Sequence, residues 1–138
     1  YNAEQEDALP MGNAASTVAA FTSPYGSLLL TGDLGSEEEK MLELGHYTVL
    51  KAGHHGSRNS NSQEFLQMIQ PQITVISCGL NNRYNHPHQE TLERLAAVGT
   101  RVLRTDKRNC IKVVFDESGI KCYSYRYNGF QPEGAAWN

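Results

Sequence analysis

The sequence contains no apolar run that approaches the roughly 18 residues a helix needs to cross a membrane. Its first residues, YNAEQEDALPMGN, lack the basic and then apolar segments of a signal peptide, and they do not begin with methionine. We therefore expect a globular segment outside the membrane that is part of a longer chain. At 138 residues it is long enough for one domain with a core and too short for two.

The sequence also has little excess charge of either sign. Twelve lysines and arginines stand against 15 aspartates and glutamates, which gives a formal net charge of −3. This balance provides no overall basic surface of the kind that binds nucleic acid, although a local basic patch stays possible. Charge alone therefore points to no class of partner.

The three cysteines do not form a CxxC motif. The segment CIKVVFDESGIKCYSY predicts a hairpin that turns at DESG, in which Phe115 pairs with Ile120 and Val113 with Cys122. In that register Cys110 lies on the opposite face of the sheet from Cys122. We predict no disulfide between them, and the redox compartment stays open.

Strand and helix patterns alternate along the chain. The segments TVAAF, SLLLTGD, YTVLKA, QITVISCG and TRVLRT read as strands, and SEEEKMLELG, SQEFLQMIQP and QETLERLAAVG as helices. The first helix is predicted to begin with Ser36 as its cap and Glu39 in a capping box, with its glutamates in solvent. The pattern predicts an α/β fold over residues 1–127, with a partly parallel mixed sheet, an antiparallel edge and a C-terminal β-hairpin. Residues 128–138 are predicted to form a surface tail.

Polar side chains follow three of the predicted strands. Asp33 ends the second strand, His54 and His55 follow the third, and the loop NNRYNHPH follows the fourth. The carboxyl ends of strands in an open α/β sheet are where ligands bind. A carboxylate with several imidazoles suits Zn²⁺, Mn²⁺ or iron, and such an ion would make a bound water acidic enough to ionise near neutral pH. Arg83 could hold an anionic group through its guanidinium fork.

Each of these residues also has an ordinary structural interpretation. Asp33 could be a turn residue, and HHGS a solvated loop. His86 could stand in for a helix cap, and His88 could lie on the surface. Four of the five histidines nevertheless fall in two strand-end loops, which favours a site.

Taken together, several strings resemble a known family. LLLTGD, VLKAGHHGSRNS, ISCGLNNRYNHPHQETLERL and VLRTD are similar to the carboxyl-terminal half of a metallo-β-lactamase-fold domain, of the kind found in the ComEC/Rec2 family of DNA-uptake competence proteins. GNAASTV is similar to the Asn-x-x-Ser segment of that family. The resemblance runs from Asn13 to Asp106, about two thirds of the chain. It implies half of a four-layer αββα sandwich, with helices packed on a mixed sheet.

The resemblance also implies a function and roles for single residues. The parent protein would be a metal-dependent phosphodiesterase or nuclease that uses zinc or manganese and acts on single-stranded DNA. It would be an integral membrane protein with this segment on its extracytoplasmic face. The implied metal ligands are Asp33 and one histidine of the 54/55 pair, for which His54 is favoured because it lies nearer the strand end. The remaining implied roles are catalytic for His55 and His86, and substrate-binding for Ser57, Asn82, Arg83 and Tyr84.

One departure from the family is large. The family's first metal motif, His-x-His-x-Asp-His, is absent, and no histidine precedes Asp33. We therefore expect this segment to hold one weakly bound ion or none, and to be inactive without the remainder of the same polypeptide. Two alternatives stay open: a metal-free module that binds DNA or a partner, and a half-sandwich that forms a homodimer through its exposed sheet.

Overall fold

The computed structural model describes residues 12–134, which form two β-sheets and four short α-helices. The larger sheet consists of β1 (Ala19–Ser23), β2 (Gly26–Leu30), β3 (Val49–Lys51), β4 (Ile73–Ile76) and β5 (Arg101–Arg104). The smaller one consists of β6 (Ile111–Asp116), β7 (Gly119–Arg126) and β8 (Gly129–Pro132). The helices are α1 (Ser36–Glu39), α2 (Gln63–Ile69), α3 (Gln89–Ala97) and α4 (Thr105–Arg108).

The larger sheet follows chain order and is mixed. β1 pairs with β2 in the antiparallel direction, whereas β2, β3, β4 and β5 are parallel neighbours. Parallel neighbours end at the same edge of a sheet, so the loops after β2, β3 and β4 meet there. This confirms the predicted mixed sheet with an antiparallel edge strand.

The parallel strands β3 and β4 of the larger sheet are covered on both faces, which explains their nearly continuous apolar sequences. On one face Leu29, Leu50 and Ile76 pack with residues of α2 and α3. On the other face Val49 and Leu103 pack against the smaller sheet. Adjacent residues of one strand therefore enter two different cores.

The C-terminal hairpin has the predicted register, because Phe115 pairs with Ile120 and Val113 with Cys122. All three cysteines are free thiols. Within the predicted surface tail, residues 129–132 form β8, a mostly exposed strand that pairs with β7. Gly129, at a φ of 94°, allows the tight turn that makes this pairing possible. The domain boundary after residue 127 stays a prediction, and the predicted tail's last four residues lie outside the described part.

The first predicted helix is shorter than expected. α1 ends at Glu39, its cap is Gly35 without a side-chain hydrogen bond, and the capping box with Ser36 does not form. We expect Glu39 in solvent, but it is fully buried, where its carboxylate accepts hydrogen bonds from two backbone N–H groups of a later loop.

The helices predicted at SQEFLQMIQP and QETLERLAAVG are confirmed as α2 and α3. No helix within residues 12–134 combines the length and hydrophobicity that crossing a bilayer requires.

Candidate metal centre

Two loops carry the candidate site, together with Asp33. Residues 53–62, which we call the HHGS loop, follow β3, and residues 79–88, the NNRY loop, follow β4. Asp33 follows β2. The three segments converge at one sheet edge: the carboxylate of Asp33 lies 3.7 Å from the His55 ring, and the His54 and His86 ring centres are 5.6 Å apart.

The backbone of the histidine pair is strained. His54 and His55 lie in the tight turn Gly53–Gly56, at left-handed φ angles of 47° and 54°. For a residue with a Cβ, this left-handed conformation costs roughly 1–2 kcal/mol of conformational energy. Hydrogen bonds hold His54 in place, since its N–H donates to the Gly32 carbonyl at 2.9 Å and its carbonyl accepts from the Ser57 N–H at 2.9 Å. A strained backbone persists only where surrounding contacts hold it in place, and such residues are common at functional sites.

The two nitrogens of His55 have different environments. Nδ1 lies 2.7 Å from the Ser77 carbonyl oxygen, which can only accept, so Nδ1 carries the proton. Nε2 of the neutral ring therefore presents a lone pair, and it faces Oδ1 of Asp33 at 3.7 Å. One proton or cation between these two acceptors could bind both of them. A histidine fixed through its other nitrogen by a backbone carbonyl is the common arrangement for a metal ligand.

Nδ1 of His54 has a different neighbour from Nδ1 of His55, because Nδ2 of the Asn13 side chain lies 3.4 Å from it. A hydrogen bond donated by this amide would leave the proton of the neutral ring on Nε2. Ser16 contacts the same region, because its hydroxyl accepts the backbone N–H of Asp33 at 3.1 Å. Both members of the Asn-x-x-Ser segment thus support the sheet edge where Asp33 and the histidines meet.

His86 lies among the other imidazoles. Its ring centre is 5.6 Å from that of His54, 6.4 Å from that of His55 and 4.8 Å from that of His88. Burial, reinforced by the three neighbouring histidines, lowers the pKa of His86, although the charge of Asp33 opposes the shift. His86 is therefore neutral at pH 7 and able to accept a proton.

Asn82 holds the backbone around His86. Its side-chain nitrogen donates to the carbonyls of Gly79 at 2.9 Å and His86 at 2.7 Å, and its oxygen accepts the His86 N–H at 2.9 Å. Both of its donor hydrogens are thus used within the loop. The peptide bond between His86 and Pro87 is cis.

The predicted substrate side divides into exposed and buried residues. Arg83 and Tyr84 are exposed, and the guanidinium lies 4.7 Å from the centre of the tyrosine ring and donates to its hydroxyl. Tyr84 in turn stacks on His86 at 5.7 Å. Ser57 is only 3% exposed, and its hydroxyl accepts the Asn59 N–H at 3.3 Å. Contact of Ser57 or Asn82 with a substrate stays a prediction.

Four residues near the site were missed by the sequence analysis. Lys51 ends β3 with its side chain partly buried, and this burial lowers its pKa against the opposing charge of Asp33. The lysine directly before AGHHG was the available signal. Ser60 and Asn61 are fully buried, as is Glu39. Nothing in SRNSNS or SEEE distinguishes a buried polar residue from an exposed one.

The donor set fits part of a metal site. Within residues 12–134, no group of three or more histidine, cysteine, aspartate or glutamate side chains is arranged to hold an ion. Asp33 and His55 supply two suitable donors, whereas catalytic zinc sites typically use three protein ligands. The two residues therefore fit a metal as partial ligands.

Comparisons with known proteins agree with this geometry. Residues 8–80 match the Metallo-beta-lactamase superfamily. The chain is 47% identical over 90 residues to ComE operon protein 3 of Bacillus subtilis, covering 62% of this chain and 12% of that protein. It is 35% identical over 124 residues to competence protein ComA of Neisseria gonorrhoeae, covering 86% of this chain and 18% of that protein.

A third relative extends the pattern. Recombination protein 2 of Haemophilus influenzae is 32% identical over 116 residues, which are 83% of this chain and 15% of that protein. The chain thus spans less than a fifth of the length of each of these relatives. The superfamily match covers more than half of the chain, and the paired sheets and strand-end site agree with it. The chain belongs to the metallo-β-lactamase superfamily, as a domain segment related to bacterial competence proteins.

Proposed function

We propose that the chain contributes one side of the active site of a metal-dependent phosphodiesterase. The observation that carries the proposal is the pair formed by Asp33 and His55, whose acceptor atoms face each other at 3.7 Å. The hydrogen bond from His55 to the Ser77 carbonyl fixes this orientation. An ion held between these atoms would satisfy both.

Asp33 and His55 are the residues that would hold a divalent ion, zinc or manganese. This exchanges the roles first predicted for the two histidines, because the lone pair that faces Asp33 belongs to His55 and not to His54. A third ligand would come from outside residues 12–134. When bound, the ion supplies Lewis-acid polarisation of a phosphoryl oxygen and lowers the pKa of water.

The other residues would bind the substrate and move protons. His86, neutral at pH 7, can accept a proton, and Nε2–H of His54 can donate one. The Arg83 guanidinium and the Tyr84 hydroxyl are exposed beside these rings and can bind a phosphate through charge-assisted hydrogen bonds. Lys51 adds a second cation near Asp33.

The relatives suggest the substrate and the setting. They are described as competence and recombination proteins, which supports single-stranded DNA as the substrate of the whole protein. We propose that the whole protein is integral to the membrane, with this segment on the extracytoplasmic side. We also propose that the segment alone has little or no hydrolytic activity, because two ligands hold an ion weakly.

Zinc titration of the 138-residue chain by calorimetry tests the metal site. We expect Asp33→Asn to weaken zinc binding at least about tenfold, since loss of an outer-shell partner alone costs about 10–100-fold. The matched control is Asp116→Asn in the hairpin, which removes an aspartate that pairs with Lys121 and lies away from the site. Equal zinc affinity in wild type and Asp33→Asn would contradict the proposal.

A second candidate is a metal-free module that binds single-stranded DNA. The exposed Arg83–Tyr84 pair favours it, because a cation and an aromatic ring can bind a phosphate and stack on a base. This function predicts no zinc uptake and a salt-dependent DNA affinity that Arg83→Ala removes. Fluorescence anisotropy with a labelled oligonucleotide, run beside the zinc titration, distinguishes the two functions.

A further inference from the structure

The second half of the HHGS loop is buried although it is polar. Ser57, Ser60, Asn61 and Ser62 are all at most 8% exposed. Buried polar groups need hydrogen-bond partners, so the partners of this segment indicate what it holds in place. Two of its side chains bond to the backbone next to the proposed metal ligands.

Asn61 clamps the residue before the histidine pair. Its Oδ1 accepts the Gly53 N–H at 2.8 Å, and its Nδ2 donates to the Gly53 carbonyl at 3.1 Å. Ser60 reaches the neighbouring segment, because its hydroxyl donates to the Leu34 carbonyl at 2.6 Å. Consecutive residues thus bind the chain just before His54 and the chain just after Asp33.

Ser60 and Asn61, with their bonds to Leu34 and Gly53, form what we call the clamp. Three side chains from outside the loop hold the backbone of this segment. The buried carboxylate of Glu39 accepts the N–H groups of Asn61 at 2.5 Å and Ser62 at 2.8 Å. The guanidinium of Arg94 in α3 donates to the Ser60 carbonyl at 2.9 Å. Thr91, one turn earlier, donates to the Ser57 carbonyl at 2.8 Å. The clamp is therefore fixed to α1 and α3.

We propose that Asn61 is a positioning residue: by clamping Gly53 it keeps His54 and His55 in their left-handed conformation and keeps Nε2 of His55 facing Asp33. Its consequence for metal binding rests on the proposed function, whereas its consequence for the histidine geometry does not. Asn61 itself has a φ of 59°, a region that asparagine tolerates better than most residues. Without the clamp, both histidines can relax to ordinary backbone angles and the His55 ring leaves the Ser77 carbonyl.

The test is the Asn61→Gly variant of the 138-residue chain. Glycine accepts a φ of 59° without strain, so the substitution removes the two side-chain hydrogen bonds without adding backbone strain. The matched control is Asn109→Gly, because Asn109 also has a φ of 59° and donates to the Tyr125 carbonyl, in an exposed turn before β6. Long-range ¹⁵N–¹H NMR of the metal-free proteins at about pH 8, where most histidines are neutral, reports the tautomer of each ring.

In wild type and in Asn109→Gly we expect His55 as the Nδ1–H tautomer, held by Ser77. In Asn61→Gly we expect a mixture of tautomers for His55, together with zinc affinity reduced about 10- to 100-fold. An unchanged His55 tautomer in a folded Asn61→Gly protein would overturn the proposal. If wild type does not bind zinc, the proposed function fails, and the tautomer change in the variant still supports the role of Asn61.

Asn61→Asp provides a second variant if Asn61→Gly does not fold. Ionised aspartate keeps the acceptor for the Gly53 N–H, but its second oxygen cannot donate to the Gly53 carbonyl and repels it. We expect a smaller shift of the His55 tautomer than in Asn61→Gly. A His55 tautomer identical to wild type in this variant would also overturn the proposal.

Discussion

The HHGS and NNRY loops bring histidines to the same place, but they are held in different ways. The HHGS loop is held by its own Asn61 and also by buried side chains from elsewhere in the fold, among them Glu39 and Arg94. The NNRY loop is held around His86 by one of its own residues, Asn82, and its Arg83 and Tyr84 are exposed. The fold therefore sets the geometry of the first loop, whereas local bonds set that of the second.

The loops are not independent, because they also contact each other around Gly56, Pro87 and His88. A Cβ on Gly56 would come within 2.6 Å of the Pro87 Cβ, and the His88 N–H donates to the Gly56 carbonyl at 3.0 Å. His88 also accepts the Arg58 N–H through Nδ1 at 3.1 Å. The rigid loop thus supports the end of the NNRY loop, while its tip at Arg83 and Tyr84 can respond to a ligand. This division suits a site with fixed metal ligands and adaptable substrate contacts.

The largest expected effect is loss of the buried carboxylate that holds the HHGS loop. Glu39→Ala leaves two buried backbone N–H groups without an acceptor, and each costs about 1–3 kcal/mol. We expect the free energy of unfolding to fall by about 3 kcal/mol, measured by urea denaturation followed by circular dichroism. Glu37→Ala is the control, because Glu37 is exposed and pairs with Lys40 on the surface, and we expect a change within about 0.5 kcal/mol. Equal losses in the two variants would contradict the role of Glu39 in holding the HHGS loop.

A smaller and more local effect is expected in the NNRY loop. Asn82→Ala removes three hydrogen bonds in a partly exposed loop where water can replace the partners, so we expect a loss of about 1 kcal/mol. Amide hydrogen exchange should show lost protection at His86 and unchanged protection at Asn61. Asn82→Asp keeps the acceptor for the His86 N–H and should retain most of that protection. Loss of protection in both loops would mean that they form one unit.

The smallest effect is the pH dependence that His86 contributes. Its lowered pKa means that the unfolded chain takes up the proton first as the pH falls. This contribution to stability is therefore fully present above about pH 6.5 and is lost as the pH falls below that value. NMR titration of the metal-free protein should give His86 a pKa below 6.5, and His86→Gln should reduce the slope of stability against pH between about 7 and 5. A His86 pKa above 6.5 would contradict the burial of its ring among the other histidines.

The sequence predicted the parts of the site that depend on strand order. Polar residues after three apolar runs were enough to predict that Asp33, His54, His55 and the NNRY loop meet, because parallel strands end at one edge. The hairpin register also followed from sequence, since DESG is a strong turn and fixes every pair on either side. α1 and β8 could not be predicted in the same way. Glu39 at the end of α1 is buried because its partners lie in a loop 22 residues later, and β8 depends on an available edge of β7.

The order of residues along the chain determined the α/β architecture, the edge of the sheet that carries the site and the types of side chain found there. Only the tertiary structure decided which imidazole nitrogen faces Asp33 and which polar residues of SRNSNS are buried. The physical reason is the range of the interactions involved. Strand and turn patterns are local, whereas the tautomer of His55 depends on a carbonyl 22 residues away and the clamp at Asn61 depends on a carboxylate 22 residues earlier.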